Sequence, residues 1–201
     1  MRIAIIDSGV HPGHPHVGQV AGTIHFTAHG PGTDPVDRLG HGTAVAGAIR
    51  EKAPHADLFA VKVFDRRLSA SIGAILLALA WCREQSMDLI NLSLGTENPE
   101  HRAALINAVE ENGIVVSASH MLPGSLPGVI GVAADETCPR DAWRYRDGVY
   151  FASPYPRPSP GVPVERNLHC VSFAVANMTG LVAQALESGH ATRDQFRSYQ
   201  L

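Results

Sequence analysis

The sequence predicts an α/β fold, a parallel sheet covered by helices on both faces in three layers. Three observations carry that expectation. Five short apolar runs bounded by turn residues read as buried strands: 2–6 (RIAII), 57–63 (DLFAVKV), 88–92 (DLINL), 113–118 (GIVVSA) and 128–134 (GVIGVAA). Segments of helical period, 42–51, 69–86 and 99–112, lie between them. The resulting β, α, β, α, β, α, β order suits a sheet buried on both sides, because each crossover helix must return over one face.

The remaining elements follow in order. A long helix carrying Ala, Val, Met and Leu is expected over about 172–188, and a short polar helix near 192–199. Two stretches break the alternation. Residues 8–40 are rich in Gly, Pro and His, and 135–168 are rich in Pro and Arg; both read as long surface connections with short strands. The sequence shows no internal repeat and no domain boundary, so residues 1–201 are expected to form a single domain.

Composition narrows the class of function. Of 201 residues, 45% are hydrophobic and 17% charged, as in a globular chain with a filled core. A net charge of -3 without a basic run argues against a nucleic-acid or membrane-surface partner. No apolar stretch reaches bilayer length, and the run after Met1-Arg2 is too short for a signal-peptide core, so a cytoplasmic location is expected. Three cysteines, Cys82, Cys138 and Cys170, form no CxxC spacing; neither a disulfide framework nor a zinc site is indicated. The histidines at 11, 14, 16, 25 and 29 lack an accompanying carboxylate or cysteine pattern, and no metal or cofactor is expected. The arginines at 140, 144, 146, 157 and 166 read as a solvated face.

In an open parallel sheet, chemistry gathers at the carboxyl ends of the strands. Asp7 follows the first strand directly in IIDSGV, where it can open a turn or orient another group. His41 stands between glycines in GHGTAVAGAI, ahead of a small-residue helix; it can cap that helix or keep its ring free. Ser172, in HCVSFAVANMTGLVAQAL, falls at the expected start of the long buried helix. There it is an N-cap, or a hydroxyl beside free backbone N–H groups and a positive dipole end suited to a developing oxyanion.

These residues belong to five blocks that resemble the subtilase family of serine peptidases over nearly the whole chain. IAIIDSGV resembles the family's Asp block, and HGTAVAGAI its His block. APHADLFAVKVF with DLINLSLG resembles the central strand–helix–strand segment, GIVVSASH with LPGVIGVAA the segment carrying the oxyanion residue, and HCVSFAVANMTGLVA the Ser block. The chain order Asp, His, Ser is the subtilisin order, distinct from those of chymotrypsin and the α/β-hydrolases. The resemblance implies a subtilisin-like α/β fold and a serine endopeptidase acting on a peptide or protein. Ser172 would attack the carbonyl, His41 would shuttle the proton, and Asp7 would hold the imidazole. It also implies that Ser93-Leu94-Gly95 form an edge to which an extended peptide adds as a strand.

The chain departs from the family pattern in places. Ser119-His120 stand where the family has Gly-Asn, whose side chain donates to the oxyanion; loss of such a donor costs about 10²–10³ in rate. His120 can donate in its place, with Ser172 contributing the other half of the oxyanion site, or it is a surface histidine. Cys170-Val171 replace Gly-Thr before the serine, and Ala176-Asn177 replace Pro-His after it. Cys170 has no base of its own in the matched blocks, so a buried structural thiol is expected. The segment between His120 and Leu126 is short, which reduces the wall of the pocket beside the scissile bond. No prodomain or calcium loop is read before or within the blocks. Two functions remain: a peptidase, suited to maturing a particular peptide, and a catalytically weak subtilase fold that binds a peptide or protein. In either case a partner protein could complete the site.

Overall fold

The computed structural model describes residues 1–163 and 166–198. Its centre is a nine-stranded sheet in the order β3-β2-β4-β1-β5-β6-β7-β9-β8. The strands expected from the apolar runs are β1 (Arg2–Asp7), β4 (Asp57–Lys62), β5 (Leu89–Leu92), β6 (Ile114–Ala118) and β7 (Val129–Ala134). All pair in parallel, with β1 between β4 and β5. The long connections supply the rest: β2 (Gly22–Thr27) and β3 (Gly30–Gly32) from the first, β8 (Trp143–Arg146) and β9 (Val149–Ala152) from the second. β2 and β9 extend the parallel sheet, whereas β3 and β8 close its edges as antiparallel partners.

Helices cover both faces. α1 (His41–Lys52) and α4 (Val171–Glu187) pack on one, over Ile3, Ile5, Leu58, Val116 and Val132. α2 (Ile72–Glu84) and α3 (Arg102–Glu110) pack on the other, over Ala4, Ile6, Val61, Ile90 and Val115. The alternation of Ile3 and Ile5 with Ala4 and Ile6 shows why these strands read as continuous apolar runs: each face has its own core. α5 (Arg193–Ser198) matches the expected terminal helix, whose last expected position, 199, lies outside the described residues. No helix among the described residues is long and apolar enough to cross a membrane.

The sheet's topology places the chemistry. The chain winds from β1 outward to β2, returns to β4, and then crosses to β5 on the other side. The crevice at such a reversal, beyond the carboxyl ends of the strands, is where open α/β sheets hold ligands. β1 ends there with Asp7, and β5 ends there just before Ser93.

α4 is pinned by polar bonds as well as by apolar packing. Asn177 accepts from Lys52 Nζ at 2.8 Å and donates to the carbonyls of Ser153 and Tyr155 at 2.8 and 2.9 Å. Burial pulls the Lys52 ammonium below its ordinary pKa, and Glu51 beside it, itself paired with Arg140, pulls the other way. Asn177→Ala should take one acceptor from this buried cation, which keeps Glu51, and the Asn177 amide donor from the carbonyls of Ser153 and Tyr155. A loss of about 2–3 kcal/mol is expected from the urea midpoint at unchanged m-value; a midpoint within error of the parent would show that the bonds contribute nothing net.

Candidate functional site

α1 starts at the site because its first turn is anchored from two directions. Its early N–H groups have no helical acceptors. The N–H of Gly42 instead donates to Ser8 Oγ at 2.9 Å, and that of Thr43 donates to Asp37 Oδ2 at 2.9 Å. Asp37 also accepts from Thr43 Oγ1, Ser8 Oγ, and the N–H groups of Leu39 and Gly40. Burial raises the Asp37 carboxyl, yet the bonds from Thr43, Ser8 and Leu39 outweigh it and leave the pKa below the ordinary value.

This anchoring sets His41, the first residue of α1, against Asp7, the last of β1. His41 Nδ1 donates to the Asp7 carboxylate, at 2.8 Å to Oδ1 and 3.0 Å to Oδ2. Asp7 is fully buried and takes a further bond from the Ser8 N–H at 2.7 Å. Position 42 must be glycine for the two elements to meet, since a Cβ would lie 2.1 Å from the Gly9 carbonyl oxygen and 3.2 Å from Asp7 Cβ. Phe173 packs beside the His41 ring at 5.5 Å between centroids.

Ser172 lies in the first turn of α4. Its backbone carbonyl accepts from Ser93 Oγ at 3.2 Å, and its own hydroxyl lies 3.3 Å from the Ser93 carbonyl. Deeper down, Asn91 orients this join: its amide donates to Ser93 Oγ at 2.8 Å and its carbonyl accepts from Thr179 Oγ1 at 3.0 Å. His41, Ser93, Leu94, Gly95 and Ser172 line one cavity of about 360 Å³. Its apolar lining comes from Phe64, Leu68 and Ala70 in the segment between β4 and α2, and from Ile75 in the first turn of α2. The structure therefore brings His41, Ser172 and the Ser93–Gly95 edge to one cavity, with Asp7 bonded behind His41.

The pocket wall and Cys170 differ from what the sequence leads one to expect. His120 is exposed in the turn after β6, and the cavity wall on that side is Met121. Met121 packs so closely on Gly95 that a Cβ there would lie 2.7 Å from its Cβ. The reason is backbone pairing: Thr96 and Leu122 exchange hydrogen bonds at 2.9 and 3.0 Å, which draws the short segment after His120 across the cleft. The pocket wall is thus drawn in, and the open space runs instead toward Phe64–Ile75.

Cys170 is the second correction. It is only partly buried, and His41 and Ser172 are the groups that act on the titration of its thiol. Burial raises the thiol's pKa, but the bonds to His41 and Ser172 outweigh it and hold the thiol below its ordinary value. For His41, burial favours the neutral ring, yet Asp7 and then Cys170 reverse this and raise its pKa to about 10.

Sequence reading missed Asp37 and Asn91. Asp37 stands in the DRLGHG run four residues before His41, a placement that fits the first turn of α1, but its acceptor role depends on Ser8, 29 residues away. Asn91 is a polar residue within an apolar strand, and that anomaly was the available signal. Among the described residues, no group of three or more His, Cys, Asp or Glu side chains is arranged to hold a metal.

The family described as the Subtilase family matches residues 1–134, a span that holds Asp7, His41 and Ser93–Gly95 and stops before Ser172. The thermostable alkaline protease of Halalkalibacterium halodurans is 32% identical over 151 residues, covering 66% of this chain and 41% of that protein. Subtilisin E of Bacillus subtilis is 35% identical over 138 residues, covering 62% of this chain and 35% of that protein. The chain thus spans well under half the length of these relatives. In structure it is similar to a cold-adapted subtilisin-like serine proteinase, with a TM-score of 0.74 and 18% identity over 98% of this chain and 79% of that one.

Asp37 also gives the site an acid limit. Its carboxyl titrates below the unfolded value of 3.8, so it stabilises the fold fully above that value and progressively less as pH falls through its lowered folded value. Asp37→Asn should lower stability at pH 7 by about 1–3 kcal/mol and flatten the loss between pH 5 and 2. Urea midpoints measured across that range check this, and parallel curves for parent and variant would refute it.

Proposed function

The chain belongs to the subtilase family, and from that premise we propose that it is a serine peptidase that hydrolyses peptide bonds through Asp7, His41 and Ser172. The observation that carries this reading is the hydrogen-bonded Asp7–His41 pair, set at the same cavity as Ser172. Ser172 Oγ attacks the substrate carbonyl carbon while its proton passes to His41 Nε2. As the C–N bond breaks, that proton passes to the leaving amine, giving an acyl-enzyme. Water then attacks the ester, His41 takes and returns its proton, and the acid leaves. Asp7 keeps the ring oriented and stabilises its charged form.

The substrate is an extended peptide laid along Ser93–Gly95, with apolar side chains reaching toward Phe64, Leu68 and Ile75. Leu68 is 57% exposed, an apolar side chain free for a partner to cover. With Met121 drawn over Gly95, the space beside the scissile bond is narrow, which favours a dedicated peptide over broad digestion and suits a maturation role.

A second reading, peptide binding with little turnover, is favoured by two observations: the exposure of His120, and the direction of the Ser172 hydroxyl, toward the Ser93 carbonyl. A fluorophosphonate probe decides between the two. The peptidase reading expects an adduct on Ser172, located by mass spectrometry and absent in Ser172→Ala; an unmodified parent chain would move the binding reading to first place.

Serine chemistry needs neutral His41 as base, and the raised pKa makes that form scarce at pH 7. Hydrolysis of a peptide ester should therefore climb as pH rises toward about 10. Cys170→Ala removes one of the contacts that raise His41, so its acid limb should move to lower pH and kcat/KM at pH 7 should rise several-fold. An unmoved limb would show that Cys170 does not hold the imidazole.

A further inference from the structure

We propose that a second cavity, beside the start of α1, is a binding site for a small organic anion whose oxyanion group is held by Arg157, His14 and His16. The cavity measures about 310 Å³ and shares no lining residue with the cleft that holds His41 and Ser172. That volume lies at the lower end of the about 300–1,000 Å³ usual for small-molecule sites. The fold divides the histidine-rich stretch: His11, His14 and His16 line this cavity, whereas His25 lies on β2 and His29 in the turn after it.

Arg157 is the fixed charge of the cavity. It is half-buried and donates from its guanidinium to the His16 carbonyl at 3.2 Å. Arg140 and Arg144, from the same stretch of chain, pair with Glu51 and Asp135, but Arg157 has no carboxylate partner among the described residues. Asp37 is the one carboxylate among the described residues that line the cavity, and its oxygens are already taken by Ser8, Leu39, Gly40 and Thr43. A guanidinium offers a planar fork of donors that matches an oxyanion, and a half-buried one without a counter-charge gains most from such a partner.

The remaining polar groups are set to donate. His14 Nδ1 accepts from the His16 N–H at 3.2 Å, which puts the proton of the neutral His14 ring on Nε2. The His16 ring stands edge-on to it at 5.2 Å between centroids. Asn167 takes the Leu168 N–H on its Oδ1, leaving its amide nitrogen as a donor. Burial, Arg157 and His14 lower the His16 pKa, Glu51 raises it and Arg140 lowers it, so an anion seated on Arg157 would relieve the largest of these charge effects. A metal is the other common ligand of clustered histidines, but no three metal-binding side chains among the described residues are grouped to hold one. Ala44, Pro156 and Leu168 line the rest of the space with carbon, which suits a compact apolar body on the anion.

Sulfate probes the oxyanion group, because it stays a dianion across the range where imidazoles titrate, and benzenesulfonate probes the apolar body. Each is added to the whole chain at constant ionic strength, with chloride as the balancing ion, and the histidine ring Cε1–H signals are followed by NMR. The His14 and His16 signals should shift and saturate, while that of His190, which lines a different cavity, stays still. The His16 ring should titrate at higher pH in sulfate than in chloride. Arg157→Met should weaken both probes at least about tenfold. His14 and His16 signals that do not move, or that move only as the His190 signal does, overturn the proposal, and neither outcome needs a variant that folds. Unchanged affinity in a folded Arg157→Met chain overturns it as well. A chain that binds sulfate and not benzenesulfonate overturns the apolar body and leaves the oxyanion site. None of these signals depends on Ser172, so a chain that fails to label with fluorophosphonate fails the peptidase reading alone.

Discussion

The hydrogen bond between Asp7 and His41 is the constraint around which the site is arranged. A fully buried carboxylate is costly unless its lone pairs are filled, and Asp7 fills them with the imidazole N–H and the Ser8 amide. The two partners stand 34 residues apart in sequence, at the carboxyl end of β1 and the amino end of α1. Everything between must bring the chain back to its own starting strand. Ser8 and Asp37 do so by serving as acceptors for the first turn of α1, and glycine at 42 leaves room for the Gly9 carbonyl.

The other half of the site depends on where α4 begins. Ser93 and Ser172 each approach the other's backbone carbonyl with a hydroxyl, and Asn91 and Thr179 brace that join from below. Asn177 ties the same helix to Lys52 on α1 and to the chain beyond β9. With the phase of α4 fixed this way, Ser172 faces the cavity. Against burial, the His41 pKa is raised chiefly through Asp7, with Cys170 adding to it, and the Cys170 thiol is lowered in turn.

The cleft has the same origin in backbone geometry. Pairing of Thr96 with Leu122 draws Met121 over Gly95 and narrows the space beside the serine, while the segment from Phe64 to Ile75 leaves an apolar wall open. The open part of the cleft is therefore the stretch along that wall and not a deep pocket beside Gly95.

The strands and helices were legible in the sequence because a sheet buried on both faces requires apolar runs, and crossover helices require apolar stripes; RIAII, DLINL and VIGVAA could hardly be anything else. Asp7, His41 and Ser172 were legible as well, since each closes or opens such an element at the end where chemistry gathers. What the sequence could not determine was which group each of them faces. Asp37 acts through Ser8 and Thr43, and Met121 comes to line the cavity where Leu122 pairs with Thr96. Local pattern dictates the elements, whereas hydrogen bonds and pKa shifts depend on distances of a few ångströms between segments far apart in the chain, and only the packed tertiary structure sets those distances.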